Sequence, residues 1–226
     1  VVLYAGTHGI SHALPAIASA AARLTEHPVH FAFVGEGADK PRLARTVAEL
    51  GLRNVTLRPG VPHEDIPGLL AAADVCLVPL RDVPLFAAFI PSKMFEYLAA
   101  GKAVIGSVRG EAAEILREAG AVVVPPEDGA ALAGAIRELA ADPEHRLAMG
   151  RADRRHVENS YDRRAMAAGP SGRRRAATRY SAAAGRGQGL RHPRSRLRDA
   201  RSQRVASLPG ERRSTLFNSY EGLMEG

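Results

Sequence analysis

The stretch Pro91-Ser-Lys-Met-Phe-Glu-Tyr-Leu-Ala-Ala-Gly-Lys-Ala-Val-Ile105 decides the fold. It reads as loop, helix, tight turn and buried strand. Ser92 suits a helix cap, because its hydroxyl can accept a bond from an N–H of the first turn. Met94, Phe95 and Leu98 give the helix a core side. Gly101 suits the left-handed position just past the helix end. Ala103, Val104 and Ile105 then open a strand. A helix that starts in the loop after a strand presents backbone N–H groups and a positive dipole end, which favours a phosphate. Ser92, Lys93 and Met94 stand at that end. Lys93 and Glu96 share a helical face at i,i+3, so they can set a cation against a diphosphate and a carboxylate against a ribose diol. The same spacing also fits a plain surface ion pair worth about 0.2–0.5 kcal/mol.

Working outward, apolar runs alternate with helical patterns about six times. Strands are expected at residues 1–5, 29–34, 55–57, 75–78, 103–106 and 121–124. Leu14, Ile17, Ala21 and Leu24 repeat at helical spacing, as do Leu43, Val47 and Leu50, and Leu132, Ile136 and Leu139. Asp39 and Pro41 mark one helix start, and Asp142-Pro143 another that runs to about Tyr161. The run at 75–78 is apolar on both faces, as a strand covered on both sides must be. The pattern predicts an α/β fold: a doubly wound, mostly parallel, Rossmann-like sheet. Ligands of such sheets bind beyond the carboxyl ends of the strands. The loops at 6–9, 35–40, 60–63 and 80–93 all follow strands, so they are expected to converge on one crevice.

Composition narrows the class. With 46% hydrophobic and 24% charged residues the chain suits a globular domain with a sizeable core. The single cysteine, Cys76, excludes an internal disulfide and reads as a small core residue. No apolar run reaches the ~18 residues of a membrane helix. The chain opens on Val1 in a strand-like run, which suggests a fragment with an upstream part missing. The net charge of +7 is uneven: residues 169–226 hold thirteen arginines against four acids, which leaves residues 1–168 at −2. That tail is rich in Gly, Arg, Ser, Ala and Pro, has no sustained periodicity, and is expected to be disordered. An arm for RNA or lipid is one reading. A shifted reading frame is the other, and the abrupt change of composition favours it. Two domains follow, 1–168 folded and 169–226 a basic tail.

Several motifs fail a stricter test. Gly35-x-Gly37-x-x-Lys40 follows a strand but ends in Lys, so it is not the dinucleotide fingerprint. Lys40 then reads either as a diphosphate contact or as a solvated lysine. His8 and His12 at i,i+4 lack a third ligand for zinc and read as loop histidines. Lys102 is followed by Ala103, which excludes a Walker loop. Glu111 and Glu114 sit where a helix dipole favours acids in any case.

Five segments in order resemble one family: YAGTHG at 4–9, FVGEGADK at 33–40, LLAAADVCLVPLRD at 69–82, PSKMFEYLAAG at 91–101 and GEAAEIL at 110–116. They are similar to retaining nucleotide-sugar glycosyltransferases of family four, with the GT-B fold. Within it they look most like fucosaminyltransferase-like bacterial enzymes of O-antigen, capsule or exopolysaccharide synthesis. The resemblance runs from residue 1 to about 168. It implies the C-terminal, donor-binding half of such an enzyme, with a UDP-linked sugar as co-substrate and neither metal nor further cofactor. It implies a cytoplasmic protein. The acceptor would be a lipid-linked saccharide at the inner membrane face, reached through an N-terminal domain that this chain lacks, with peripheral membrane association and no nucleic acid. Glu96 matches the second Glu of the family's Glu-x7-Glu, which bonds the ribose, but Ala88 stands at the first. The loop of Gly6, Thr7, His8 and Gly9 faces the diphosphate in the family, yet residues 6–12 lack the usual Arg and Lys. The phosphate contacts then fall to Lys93, Lys40, Gly35 and the backbone of Ser92 to Met94. Val61 and Pro62 match the loop that meets the base. No catalytic group is assigned. Two rivals remain: a UDP-sugar 2-epimerase of the same fold, and a nucleic-acid-binding protein acting through the tail.

Overall fold

The computed structural model describes residues 1–161. In chain order it contains β1 (Val2–Ala5), α1 (Leu14–Ala22), β2 (Phe31–Val34), α2 (Lys40–Glu49), β3 (Val55–Arg58), α3 (Ile66–Ala72) and β4 (Val75–Pro79). It continues with α4 (Ser92–Ala99), β5 (Ala103–Ser107), α5 (Gly110–Ala119), β6 (Val122–Val124), α6 (Gly129–Ala141) and α7 (Pro143–Tyr161). Each expected strand is present, with bounds within two residues of the expected ones. The boundary at 168 and the expectations for the tail lie outside the described residues. Among the described residues, no helix is long and apolar enough to cross a membrane.

All six strands run parallel in the order β3-β2-β1-β4-β5-β6. Leu3 lies beside Ala32 on one side and Cys76 on the other. The fold is therefore the expected doubly wound α/β sheet, and its chain reverses direction of travel between β1 and β4. Alternation along each strand feeds two cores. Val2, Tyr4, Val75, Leu77 and Ile105 face α1 and α6 residues such as Leu14, Ile17, Leu132 and Ile136. Leu3, Ala5, Cys76, Val78 and Val104 face Met94 and Leu98 of α4 and Leu116 of α5. Fully burying one such aliphatic side chain is worth about 1.5–3 kcal/mol, so both faces must be covered for the sheet to hold. Cys76 is inert core, its thiol pushed up to about 12 by burial.

Two helix starts differ from expectation. Ser92 is the first residue of α4, not its cap; Pro91 takes that position with extended backbone and its carbonyl accepts from Met94 N–H at 3.1 Å. Asp39 precedes α2 but gives no side-chain cap. Its carboxylate instead pairs with Arg42 Nε at 2.7 Å. Gly101 has φ +68, as its place after α4 requires.

Candidate functional site

The crevice that such a sheet is expected to form lies beyond the carboxyl ends of β1 and β4, where the order of strands reverses. Its floor is a knot of two loops. Gly6 N–H donates to Val34 O at 2.9 Å and His8 N–H to Glu36 O at 2.7 Å, while Asp39 N–H returns to His8 O at 2.8 Å. A Cβ on Gly35 would lie 1.9 Å from Gly6 O, and one on Gly37 would lie 2.6 Å from His8 O. These glycines are demanded by the contact between loops, not by a ligand. Gly60 is close by, since a Cβ there would sit 3.9 Å from Gly35 Cα. Exposed Val61 and Pro62 therefore border the same floor.

The knot buries what the composition of a loop suggests is open. His8 is fully buried and His12 nearly so. Neither ring nitrogen of His8 has a hydrogen-bond partner among the described residues. Burial, with Lys40 and Lys93 nearby, lowers His8 to about 4. Burial and then Lys93 lower His12 to about 3. Both imidazoles are neutral at pH 7. The loop at residues 35–40 docks against His8, so its side chain lies buried within the floor.

Lys93, at the start of α4, reaches the same floor from the other side. Its Nζ donates to the Tyr4 hydroxyl at 3.0 Å and lies 4.3 Å from the centre of the Tyr4 ring. A Cβ on Gly6 would sit 3.0 Å from that ammonium. Tyr4 in turn donates to Thr7 O. One turn along α4, Tyr97 docks the helix onto the end of β1: its hydroxyl donates to Ala5 O at 2.9 Å and accepts from Ala5 N–H at 3.1 Å. Burial pushes that phenol well above its ordinary value. Neither tyrosine was singled out from the sequence as a site residue. A tyrosine inside an apolar run gives no hint of where its hydroxyl lands.

The structure thus gathers Gly6, Thr7, Gly9, Gly35 and Lys93 around one floor, with Ser92 and Glu96 exposed on α4 beside it. Two of the expected contacts have partners within the protein. Met94 is wholly buried, with its N–H bonded to Pro91 O. Lys40 is partly exposed, with its ammonium bonded on three sides. Its Nζ donates to Gly35 O at 2.9 Å, Glu36 Oε1 at 2.7 Å and Arg58 O at 3.1 Å, tying the ends of β2 and β3 together. Three acceptors use all three donors of an ammonium.

A second concavity of about 240 Å³ lies over the ends of β4 and β5, lined by Leu80, Asp82, Val83, Phe86, Ala87 and Arg109 among others. Arg109 pairs with Asp82 at 3.1 Å. Arg81 ties this loop to the one after β1 through its N–H to Ser11 O at 2.9 Å. Among the described residues, no three His, Cys, Asp or Glu side chains gather as a metal set.

A parallel doubly wound sheet thus carries a cation and a helix N-terminus at its switch point. The chain belongs to the family "Glycosyl transferases group 1", whose model matches residues 1–142. It is 35% identical over 155 residues to the colanic acid biosynthesis glycosyl transferase WcaI of Escherichia coli, covering 64% of this chain and 36% of that protein. It is 33% identical over 127 residues to a GDP-mannose-dependent phosphatidylinositol monomannoside mannosyltransferase of Corynebacterium glutamicum, covering 55% of this chain and 33% of that one. The chain thus spans about a third of the length of these relatives. Among solved structures, Anabaena HepE in complex with UDP-glucose superposes with a TM-score of 0.63 at 20% identity, over 80% of this chain and 48% of that one. Sucrose-phosphate synthase of Thermosynechococcus elongatus gives 0.60 at 26% identity, over 80% and 46%.

Proposed function

We propose that this chain is the donor-binding half of a retaining glycosyltransferase that takes a UDP-linked sugar and serves cell-surface polysaccharide synthesis. The observation that carries this reading is the Lys93 ammonium at the start of α4, held against the Gly6 loop at the switch point of the sheet. A diphosphate seated there meets a cation and the backbone N–H groups of a helix start. Both strengthen as negative charge develops on the leaving oxygen, which is how such a site lowers a barrier. Glu96 accepts from the ribose hydroxyls, and the backbone at Val61 and Pro62 meets the base. The sugar extends toward the concavity at Asp82 and Arg109. The acceptor, a lipid-linked saccharide at the cytoplasmic face of the membrane, is held by the part of the relatives that this chain does not cover. The fucosaminyltransferase-like segments and the colanic acid relative both favour a bacterial surface polysaccharide as product.

Calorimetry of the full chain with UDP, UDP-N-acetylhexosamines and GDP tests this. UDP is expected to bind in the micromolar to millimolar range, weakened about tenfold by Glu96→Ala, which removes a charge-assisted bond. Tighter binding of GDP than of UDP would move the donor to a guanosine nucleotide, as the name of the mannosyltransferase relative allows. A chain that melts cooperatively yet binds neither nucleotide would overturn the reading.

A further inference from the structure

The proposed donor site leaves Tyr4 without a role, although it touches Thr7, His8, His12 and Lys93. Its ring lies 5.5 Å from the His8 ring, 5.9 Å from His12 and 6.2 Å from Phe33. It is 1% exposed, so its orientation is fixed by packing. Its hydroxyl is fixed as well, because it donates to Thr7 O and accepts from Lys93 Nζ. A lysine side chain is otherwise a flexible stem with much rotamer entropy to lose. Here a ring face and a phenol oxygen hold its head in place. An ammonium near an aromatic face is attracted to it, more strongly where water is excluded. Hydroxyl and ring together select one position out of many before a ligand arrives. The neutral imidazoles beneath add no positive charge to push the ammonium away.

We infer that Tyr4 is a positioning residue for the reaction: it presets the Lys93 ammonium at the diphosphate subsite, and the ammonium stays on Tyr4 when a nucleoside diphosphate binds. This rests on the donor-site reading above. In this arrangement the phenol accepts one N–H of Lys93 throughout, and phosphate oxygens take the bonds directed into the crevice. The effect of Tyr4 on binding is therefore tied to the phosphates and vanishes without Lys93.

The test uses the full chain and two probes, UDP and uridine. Tyr4→Phe keeps the ring and removes the hydroxyl. It is expected to weaken UDP about fivefold to tenfold, near the worth of one ordinary hydrogen bond, and to leave uridine unchanged. Lys93→Ala weakens UDP more, and adding Tyr4→Phe to it changes nothing further. Equal loss of UDP and uridine in Tyr4→Phe would mean a merely structural role and overturn the inference. So would an additive double variant. If Lys93→Ala leaves UDP binding intact, the donor-site reading falls first, and the inference with it. If Lys93→Ala weakens UDP but Tyr4→Phe does not, only the inference falls. An independent measurement needs no variant at Tyr4. The Hε protons of Lys93 are expected to show an upfield ring-current shift that persists when UDP saturates the chain. A shift that collapses on UDP addition would show the ammonium leaving Tyr4, against the proposal.

Discussion

Two places in this domain bury ionisable side chains with polar atoms left unbonded among the described residues, and they solve the problem in opposite ways. At the crevice floor, His8 and His12 stay neutral by giving up a proton. At the other end of α5, Asp153 of α7 is fully buried beside Gly120, with neither carboxyl oxygen bonded among the described residues. Burial raises it to about 7, so it avoids a buried charge by keeping its proton up to that pH. The bases titrate far below neutrality and the acid titrates at it. The two histidines of the floor are thus silent near pH 7, while Asp153 is sensitive to pH there.

The largest expected effect breaks the seal over the histidines. A Cβ on Gly35 meets Gly6 O at 1.9 Å and His8 Cδ2 at 3.3 Å, so Gly35→Ala must part the two loops. We expect a loss of about 4 kcal/mol in urea unfolding, at the upper end for a single substitution. Gly51→Ala, at φ +60 in open space, should cost only about 1 kcal/mol. Equal costs would show that the loops are not knotted as described.

A smaller effect comes from the far end. The native carboxyl of Asp153 holds its proton to about pH 7, whereas an unfolded one releases it near 3.8. Its contribution is full below 3.8 and is lost as pH rises through 7. Asp153→Leu should therefore be more stable than the parent at pH 8 by about 1–3 kcal/mol, the cost of an unsatisfied buried group, with the gain shrinking by pH 5. A gain of the same size at both values would mean that the carboxyl does not titrate in this range.

The histidines give the opposite slope. Their native values lie below the ordinary 6.5, so stability is full above that and falls as acid titrates the unfolded chain, from about 6.5 down toward 4 and 3. His8→Leu is expected to flatten this limb by about 2 kcal/mol between pH 7.5 and 5, read from melting curves. An unchanged acid limb would assign the slope to other groups.

The sheet was legible because its signal is local. Strands such as 75–78 are continuous apolar runs, and the helices between them carry clean spacing. Half of the site was legible for the same reason, since Lys93 and Gly6 mark a helix start and a strand end. The rest depends on demands that arise only in three dimensions. Lys40 has the spacing of a phosphate ligand, but carbonyls at the ends of β2 and β3 take its donors. His8 lies in a polar loop, and only the docking of a second loop buries it. Tyr97 bonds the backbone of Ala5, 92 residues away, a pairing fixed by how α4 lies on β1.

The anchoring of Lys93 on a strand has a consequence for how such a domain can diversify. The loop after β4 is exposed and apolar, with Val83, Leu85 and Phe89 open to solvent. Loops of this kind are where changes of length and composition are tolerated. Because the ammonium is held by Tyr4 in the sheet, and α4 by Tyr97 on Ala5, that loop can be rewritten without displacing the charge. On the proposed donor reading, which sugar is chosen and how its phosphates are gripped become separable traits, free to change at different rates.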